Sequence, residues 1–292
     1  MEETKEILKQ VKKLEISSKQ LVDGLITGNY QSIFKGHGIE FSEIREYRPG
    51  DDIRSIDWKV TARFNHPYIK EFIEERDLQA YFILDMSGSG SFGNNITKKR
   101  KSLEVAASLM FAALRNNDKI GVILFTNFIE KFIPARKGKK HVLQTLSSII
   151  SFVPKSSITD IESSLIQISK IIKKRSILFV ISDFFDSSNY FRPLKILRQK
   201  HDIIALKVSD LREQQIPDIG LIELEDEETG EQILVNTSDI EFQKKYSQIV
   251  SSNELVLTSN LRKLKVDFIK ILSDEEYDIP LKKFFKRRIR RY

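Results

Sequence analysis

Tyr81-Phe82-Ile83-Leu84-Asp85-Met86-Ser87-Gly88-Ser89, residues 81–89, is the stretch that decides the fold. Its first four residues read as a short apolar strand, and an acid and two hydroxyls follow where that strand ends. Two later stretches belong with it. Thr159-Asp160 stands before a helical pattern, and Asp183 follows the apolar run ILFVIS of residues 177–182. In an open α/β sheet the carboxyl ends of the parallel strands share one edge, and ligands bind there. Asp85 and Asp183 are expected on that edge, and Thr159, in a loop entering a helix, is expected within reach of it.

The residue types at this meeting point narrow the chemistry. Two carboxylates (Asp85, Asp183) and three hydroxyls (Ser87, Ser89, Thr159) are hard oxygen donors, suited to Mg²⁺, Mn²⁺ or Ca²⁺ and poor for zinc. Two carboxylates do not over-neutralise a divalent ion, so it keeps affinity for an outside anion such as a partner's Asp or Glu. The 292-residue chain has no cysteine, which removes disulfides, thiolate catalysis and cysteine-based zinc sites. Its four histidines, His37, His66, His141 and His201, are scattered and form no HExxH pair.

Strand and helix alternate from residue 79 onward. Apolar strands are expected at Tyr81–Leu84, Ile120–Phe125, Ile177–Ile181, Ile203–Val208 and Val266–Ile271. Helices are expected at Leu103–Leu114, Val142–Ile150, Ile161–Ile172, Phe191–Gln199 and from Asp239. Phe128–Ile133 is expected to pair back on its predecessor, and Leu221–Glu225 with Gln232–Val235 reads as a hairpin through Glu228-Thr229-Gly230. This alternation implies a doubly wound, mostly parallel α/β sheet over residues 79–280. Residues 1–78 form a separate region. A helix over 3–30 carries Ile7, Val11, Leu14, Ile16, Leu21, Val22 and Leu25, and Gly28 closes it. A charged, loop-rich subdomain follows, with six acids and five bases between Glu40 and Arg63. A basic tail spans 281–292.

That tail explains the net charge of +7. Of the 48 Lys and Arg residues, seven fall in LKKFFKRRIRRY with no acid, so the other 41 are matched by 41 Asp and Glu. The body is neutral, which removes the main support for a general nucleic-acid surface. No stretch reaches the roughly 20 apolar residues of a bilayer span, and MEETKEILKQVKKLE lacks a signal peptide's apolar core. The expected location is the cytoplasm.

DMSGS with Thr159 and Asp183 resembles the metal-ion-dependent adhesion site of von Willebrand factor A-like domains. The resemblance implies Ser87, Ser89 and Thr159 as direct ligands, with Asp85 and Asp183 binding directly or through water. The flanking stretches Arg45–Arg63 (REYRPGDDIRSIDWKVTAR) and Val208–Glu231 closely resemble the bacterial family catalogued as domain of unknown function 58, from about Gly36 to the tail. Relatives often carry Met after the second serine, where this chain has Gly90. Members are often found beside MoxR-type AAA+ ATPases, so such an ATPase or its client is the implied partner.

Blander roles compete for several residues. Asp85, Ser87 and Ser89 suit a helix N-cap loop, but Thr159 and Asp183 tip the reading to metal binding. Asp160 reads as a helix cap. Lys98-Lys99-Arg100-Lys101 reads equally as a steering surface or a solvated helix start. Arg45, Arg48, Asp51, Asp52, Arg54 and Asp57 could form a partner surface, but most read as an internal ion-pair network holding the subdomain against the sheet, with Trp58 as its anchor. Asp210 and Glu213 read equally as rim or loop residues. The tail's Leu281, Phe284, Phe285, Ile289 and Tyr292 form a rough apolar side among cations; the family resemblance implies that this side docks on the domain, with peripheral membrane contact as the rival.

The expected function is non-enzymatic, metal-dependent protein binding. A Mg²⁺-dependent phosphatase is the enzymatic alternative, but a phosphotransferase of the aspartyl-nucleophile class wants a second acid where Ser87 stands. No GxSxG elbow and no GxxxxGK[ST] loop occurs. A membrane or nucleic-acid adaptor acting through the basic tail is a third alternative.

Overall fold

The computed structural model describes residues 2–26, 40–73, 78–93 and 96–289. Gly28, Gly36, His37, Arg290, Arg291 and Tyr292, named above, lie outside them, as do the side chains of Leu21, Val22, Leu25 and Ile289. The chain forms two units, residues 34–78 and the remainder.

The large unit is built on a six-stranded sheet of β3 (Gln79–Asp85), β4 (Lys119–Phe125), β5 (Ile129–Arg136), β6 (Ile177–Ser182), β7 (Asp202–Ser209) and β10 (Asp267–Leu272), in the order β10-β7-β6-β3-β4-β5. Every neighbouring pair is parallel except the β4–β5 hairpin. β6 is buried at all six positions, which is why its sequence is a continuous apolar run. On one face, Tyr81, Ile83, Leu178 and Val180 pack against α5 (Ile161–Ile171), α6 (Phe191–Lys200) and α7 (Ile240–Lys263) through Ile161, Leu165, Leu194 and Leu257. Phe82 and Phe179, the alternate residues, stack with ring centroids 5.0 Å apart. Helix α3 (Lys98–Arg115) contacts β3, β4, β6 and β7, and α4 (Lys139–Ile150) follows it.

The chain starts at β3 in mid-sheet, moves one way to β4 and β5, then crosses to β6, β7 and β10 on the other side. The reversal opens a crevice beyond the carboxyl end of β3, where ligands of such sheets bind. Parallel register pairs Leu84 with Ile181, so Asp85 and Ser182 come level at that mouth.

The N-terminal helix α1 (Glu2–Ile26) contacts α3, α4 and α8 (Asp278–Ile289) and buries Val11. It belongs with the large unit, whereas the sequence grouped it with the charged segment. Helix α8 is where the basic tail begins. Its Leu281, Phe284 and Phe285 are buried, and so is Arg288, which pairs with Asp202 and with Asp267 at 2.9 Å. The apolar side is thus docked on the domain through those three residues. No helix among the described residues is long and apolar enough to cross a membrane.

The small unit holds the antiparallel pair β1 (Glu40–Glu46) and β2 (Tyr68–Ile73) with the short helix α2 (Trp58–Phe64). Two ion pairs among its described residues lie within the unit. Arg45 forks onto both oxygens of Asp51 at 2.8 and 2.9 Å, and Asp51 also accepts Arg48 N–H at 2.8 Å. These donors hold the Asp51 carboxyl down to about 2. Asp57 caps α2 and pairs with Lys70 at 3.2 Å. Trp58 corrects the sequence reading. It is 68% exposed and so is not a buried anchor; it is the first residue of α2, none of whose residues is buried.

Breaking the Arg288 pair leaves two carboxylates facing each other at the start of β7 and β10. Arg288→Met is expected to lower stability by about 3 kcal/mol in urea unfolding. A loss within a few tenths of a kcal/mol would mean that solvent already compensates the partly exposed acids.

Candidate functional site

Asp85 ends β3 inside the crevice. Its Oδ1 accepts Ser87 N–H at 3.0 Å and its Oδ2 accepts the Ser182 hydroxyl at 2.7 Å. Ser87 is buried, and its Oγ lies 3.2 Å from Ser89 Oγ in the short 3₁₀ turn Gly88–Ser91. These residues do not cap α3. Thr97 does so, accepting Arg100 N–H at 3.2 Å, and Ser87 makes no capping bond. The blander reading of the loop is therefore not realised.

Asp183 arrives from β6 through a strained turn. Phe184 has φ 55°, a left-handed conformation that costs a bulky residue about 1–3 kcal/mol. The turn is held by Phe184 N–H on Ser182 Oγ at 2.9 Å and Phe185 N–H on Asp183 Oδ1 at 3.1 Å. Ser182 thus ties the Asp85 carboxylate to the backbone that aims Asp183. Phe185 is left 76% exposed beside the site.

Asp85, Ser87, Ser89, Ser182 and Asp183 line one small cavity with Lys98. It measures about 10 Å³, close to the room of one water molecule. Burial, and then the charge of Asp183, push the Asp85 carboxyl up to about 6. Two half-buried acids crowded into one narrow cavity are a fit for a cation. The donors are all oxygen, which fits a hard divalent ion. Among the described residues no three His, Cys, Asp or Glu side chains converge, so hydroxyls must supply much of any coordination.

The sequence missed Lys98. Its ammonium is buried and bonds Asp183 Oδ2 at 2.6 Å and Glu213 Oε1 at 2.5 Å. Burial opposes its charge, but Asp183 and Glu213 outweigh burial and raise its pKa. Lys101 is also buried, donating to the Glu275 carbonyl at 3.0 Å over the Tyr277 ring. Neither lysine belongs to a solvated face or a steering surface, because both turn inward from the first turn of α3. Asp210 is a structural loop residue, buried and bonded to Arg212 at 2.9 Å and Ser273 at 2.8 Å. Glu213 reaches the site through Lys98.

Thr159 stands apart from the small cavity. It lines an adjoining cleft of about 880 Å³ together with Ser89, Lys98, Phe185 and the tip of the hairpin β8 (Leu221–Glu225) to β9 (Gln232–Asn236). Its N–H and hydroxyl are both taken by the Glu228 carboxylate, at 3.0 and 2.5 Å. Asp160 caps α5 by accepting Ser163 N–H at 2.8 Å, as expected. Glu228 was not singled out from sequence; its only signal was the run of acids Glu225–Glu228 at a turn.

The family described as Protein of unknown function DUF58 matches residues 43–255. The uncharacterized protein Mb1516 of Mycobacterium bovis is 32% identical over 220 residues, spanning 74% of this chain and 69% of that protein. The uncharacterized protein YeaD of Bacillus subtilis is 27% identical over 128 residues, 44% of this chain and 29% of its own length. Among solved structures, the conserved hypothetical protein BatB from Bacteroides thetaiotaomicron gives a TM-score of 0.46 at 14% identity, covering 73% of this chain and 99% of that one. An aerotolerance-related membrane protein from Bacteroides fragilis gives 0.47 at 15%, covering 74% and 100%.

The raised Asp85 pKa has a signed consequence for stability. A carboxyl that holds its proton more tightly when folded costs nothing below its ordinary value of 3.8 and costs progressively more as pH rises through about 6. In chelator, the stability of the wild type relative to Asp85→Asn is expected to fall by about 2–3 kcal/mol between about pH 4 and pH 7. Parallel urea melts of the two proteins across that range read it directly; curves that stay a constant distance apart would contradict the assignment.

Proposed function

The chain belongs to the DUF58 family, and from that premise we propose that it is a non-enzymatic protein-binding module. Its von Willebrand factor A-like crevice takes a divalent cation, Mg²⁺ or its substitutes Mn²⁺ and Ca²⁺, and through it a carboxylate of a protein partner. The observation that carries this reading is the gathering of Asp85, Ser87, Ser89 and Asp183 around one ion-sized cavity at the reversal point of the sheet. Bound there, the ion supplies Lewis acidity toward an outside anion. Asp85 and Asp183 balance its charge without exceeding it. Ser87 and Ser89 contribute neutral oxygens, and Thr159 stands at the rim where the outside group would arrive. Ser182 holds the Asp85 carboxylate in place, and Lys98 keeps Asp183 oriented by a hydrogen bond.

Nothing among the cavity's lining residues resembles an activated nucleophile. The Ser87 and Ser89 hydroxyls face each other, and none of the lining residues is a histidine. The position two beyond Asp85 is Ser87, which denies an aspartyl phosphotransferase its second acid. For the partner we propose a MoxR-type AAA+ ATPase or its client, on the family resemblance. The docked apolar side of α8 weighs against a tail inserted in a lipid surface.

Calorimetric titration with Mg²⁺ and Mn²⁺ tests the reading. The wild type is expected to bind one ion per chain, and Asp85→Ala to lose at least about tenfold in affinity, equivalent to about 1.4 kcal/mol, with an unchanged circular dichroism spectrum. Capture of the partner ATPase is expected to disappear in chelator. Equal capture with and without divalent ions would sink the metal-mediated reading.

A further inference from the structure

Glu228 is a carboxylate already delivered to the rim of the crevice by the chain itself. It grips Thr159 with both oxygens, although the two residues are far apart in sequence. The backbone around it is seated as well. Ser157 donates its hydroxyl to the Glu228 carbonyl at 3.2 Å, and Ser157's own carbonyl accepts Gly88 N–H at 2.8 Å. A Cβ on Gly88 would come within 2.5 Å of the Glu227 carbonyl oxygen. The hairpin tip therefore lies directly on the Asp85–Ser89 loop, at a place only glycine allows.

The tip is built to present this one acid. Asp226 is spent inside the turn, accepting Glu228 N–H at 2.8 Å and Thr229 N–H at 3.2 Å, and Gly230 closes the turn at φ 73°. Glu228 is thereby aimed outward at Thr159. The base of the hairpin is pinned, with Thr237 buried and bonded to Gly220 and Ile219. Its strands are exposed or half-exposed at every position. A short two-stranded ribbon with a fixed base and little buried surface opens at low cost.

Resting on the reading of the crevice as a carboxylate-accepting centre, we propose that the β8–β9 tip is a built-in ligand, with Glu228 holding the place of the partner's carboxylate. The docking segment that displaces it is an acidic turn of the same chemistry, one acid thrust forward from a turn held by another. A tethered carboxylate acts at a high effective concentration. Single free carboxylates are therefore turned away, and a segment that matches the whole tip is admitted. The partner's affinity is reduced by the fraction of time the tip stays closed.

A labelled peptide with the sequence of residues 223–231 serves as the probe, in Mg²⁺, against wild type, Glu228→Ala and Gly88→Ala. The first variant removes the competing acid, and the second pushes the tip away by its added Cβ. For a tip closed about nine-tenths of the time, both are expected to bind the probe about tenfold more tightly than wild type. The gain should vanish in chelator and with a probe carrying glutamine at the position matching Glu228. Weaker or unchanged probe binding by both variants, with Mg²⁺ titrations like that of wild type, would overturn the built-in ligand alone and make Glu228 a support for Thr159. Absence of Mg²⁺ binding in all three proteins would overturn the reading of the crevice and this inference with it.

Discussion

Two half-buried carboxylates at the ends of neighbouring strands share one narrow crevice, and the local structure is arranged around making that tolerable. Asp85 and Asp183 arrive there because β3 and β6 are adjacent and parallel, so the geometry is a consequence of the sheet order. Burial first, and then the charge of Asp183, raise the Asp85 pKa. Positive charge is the remedy, and the molecule carries some of its own in Lys98. That ammonium sits on Asp183 and not on Asp85, which leaves one acid compensated and the other open to a cation. Ser182 is the hinge between them. It donates to Asp85 and accepts from the backbone of Phe184, so the strained turn that aims Asp183 is tied to the acid it opposes. Strain of this kind persists where surrounding contacts over-determine it.

The strands, their parallel pairing and the meeting of Asp85 with Asp183 were legible in the sequence, and for a physical reason. Strands buried on both faces must be apolar throughout, so Ile177–Ile181 announced itself. The rule that parallel strands present their carboxyl ends together then put the acids in one place without any coordinates. The β8–β9 hairpin was legible from turn chemistry and the apolar side of the tail from Leu281, Phe284 and Phe285, whereas its docking on the domain was an expectation from the family resemblance. What stayed hidden were contacts that local pattern does not encode. Lys98 opens a run of four cations, which by composition looks solvated, yet its first turn faces the crevice and two acids draw it inward. Arg288 was hidden in the same way, as one cation among seven. Trp58 was misjudged because size suggests burial, while a seven-residue helix offers few positions on its covered face. Glu228 was the least legible of all. The hairpin could be read from sequence, but the direction in which its tip leans depends on tertiary contacts with Gly88 and Ser157.

On the proposed reading, the same oxygen-rich rim takes two sources of negative charge, one outside the chain and one within it. The small cavity is lined by groups on strand ends and on the helix α3, whereas the adjoining cleft is lined in part by the tip of a ribbon that is exposed or half-exposed along its strands. Rigidity where an ion is proposed to sit and compliance where a partner is proposed to enter are separate demands, and the fold assigns them to separate elements. The sheet supplies the first, since the buried strands β3 and β6 hold the backbone from which Asp85 and, one residue beyond β6, Asp183 project. The hairpin supplies the second, since its register is fixed by its own five-residue ladder and survives a change in lean.

Specificity follows from that division. A cation between two aspartates does not distinguish one carboxylate from another, because an oxygen anion of either kind satisfies it. Discrimination has to come from what surrounds the anion, and here the surroundings are the tip itself, with Asp226 and Glu227 flanking Glu228, and the exposed ring of Phe185 across the cleft. On the proposed reading a newcomer loses its own solvation, displaces a segment already seated at the rim and refills a cleft lined by acids and aromatic rings. An isolated acidic side chain meets only the first of these demands. A turn that carries an acid forward, with an apolar neighbour to lie on Phe185, meets all three, and it is by that difference that the proposed module would select a protein partner over the carboxylates of free metabolites.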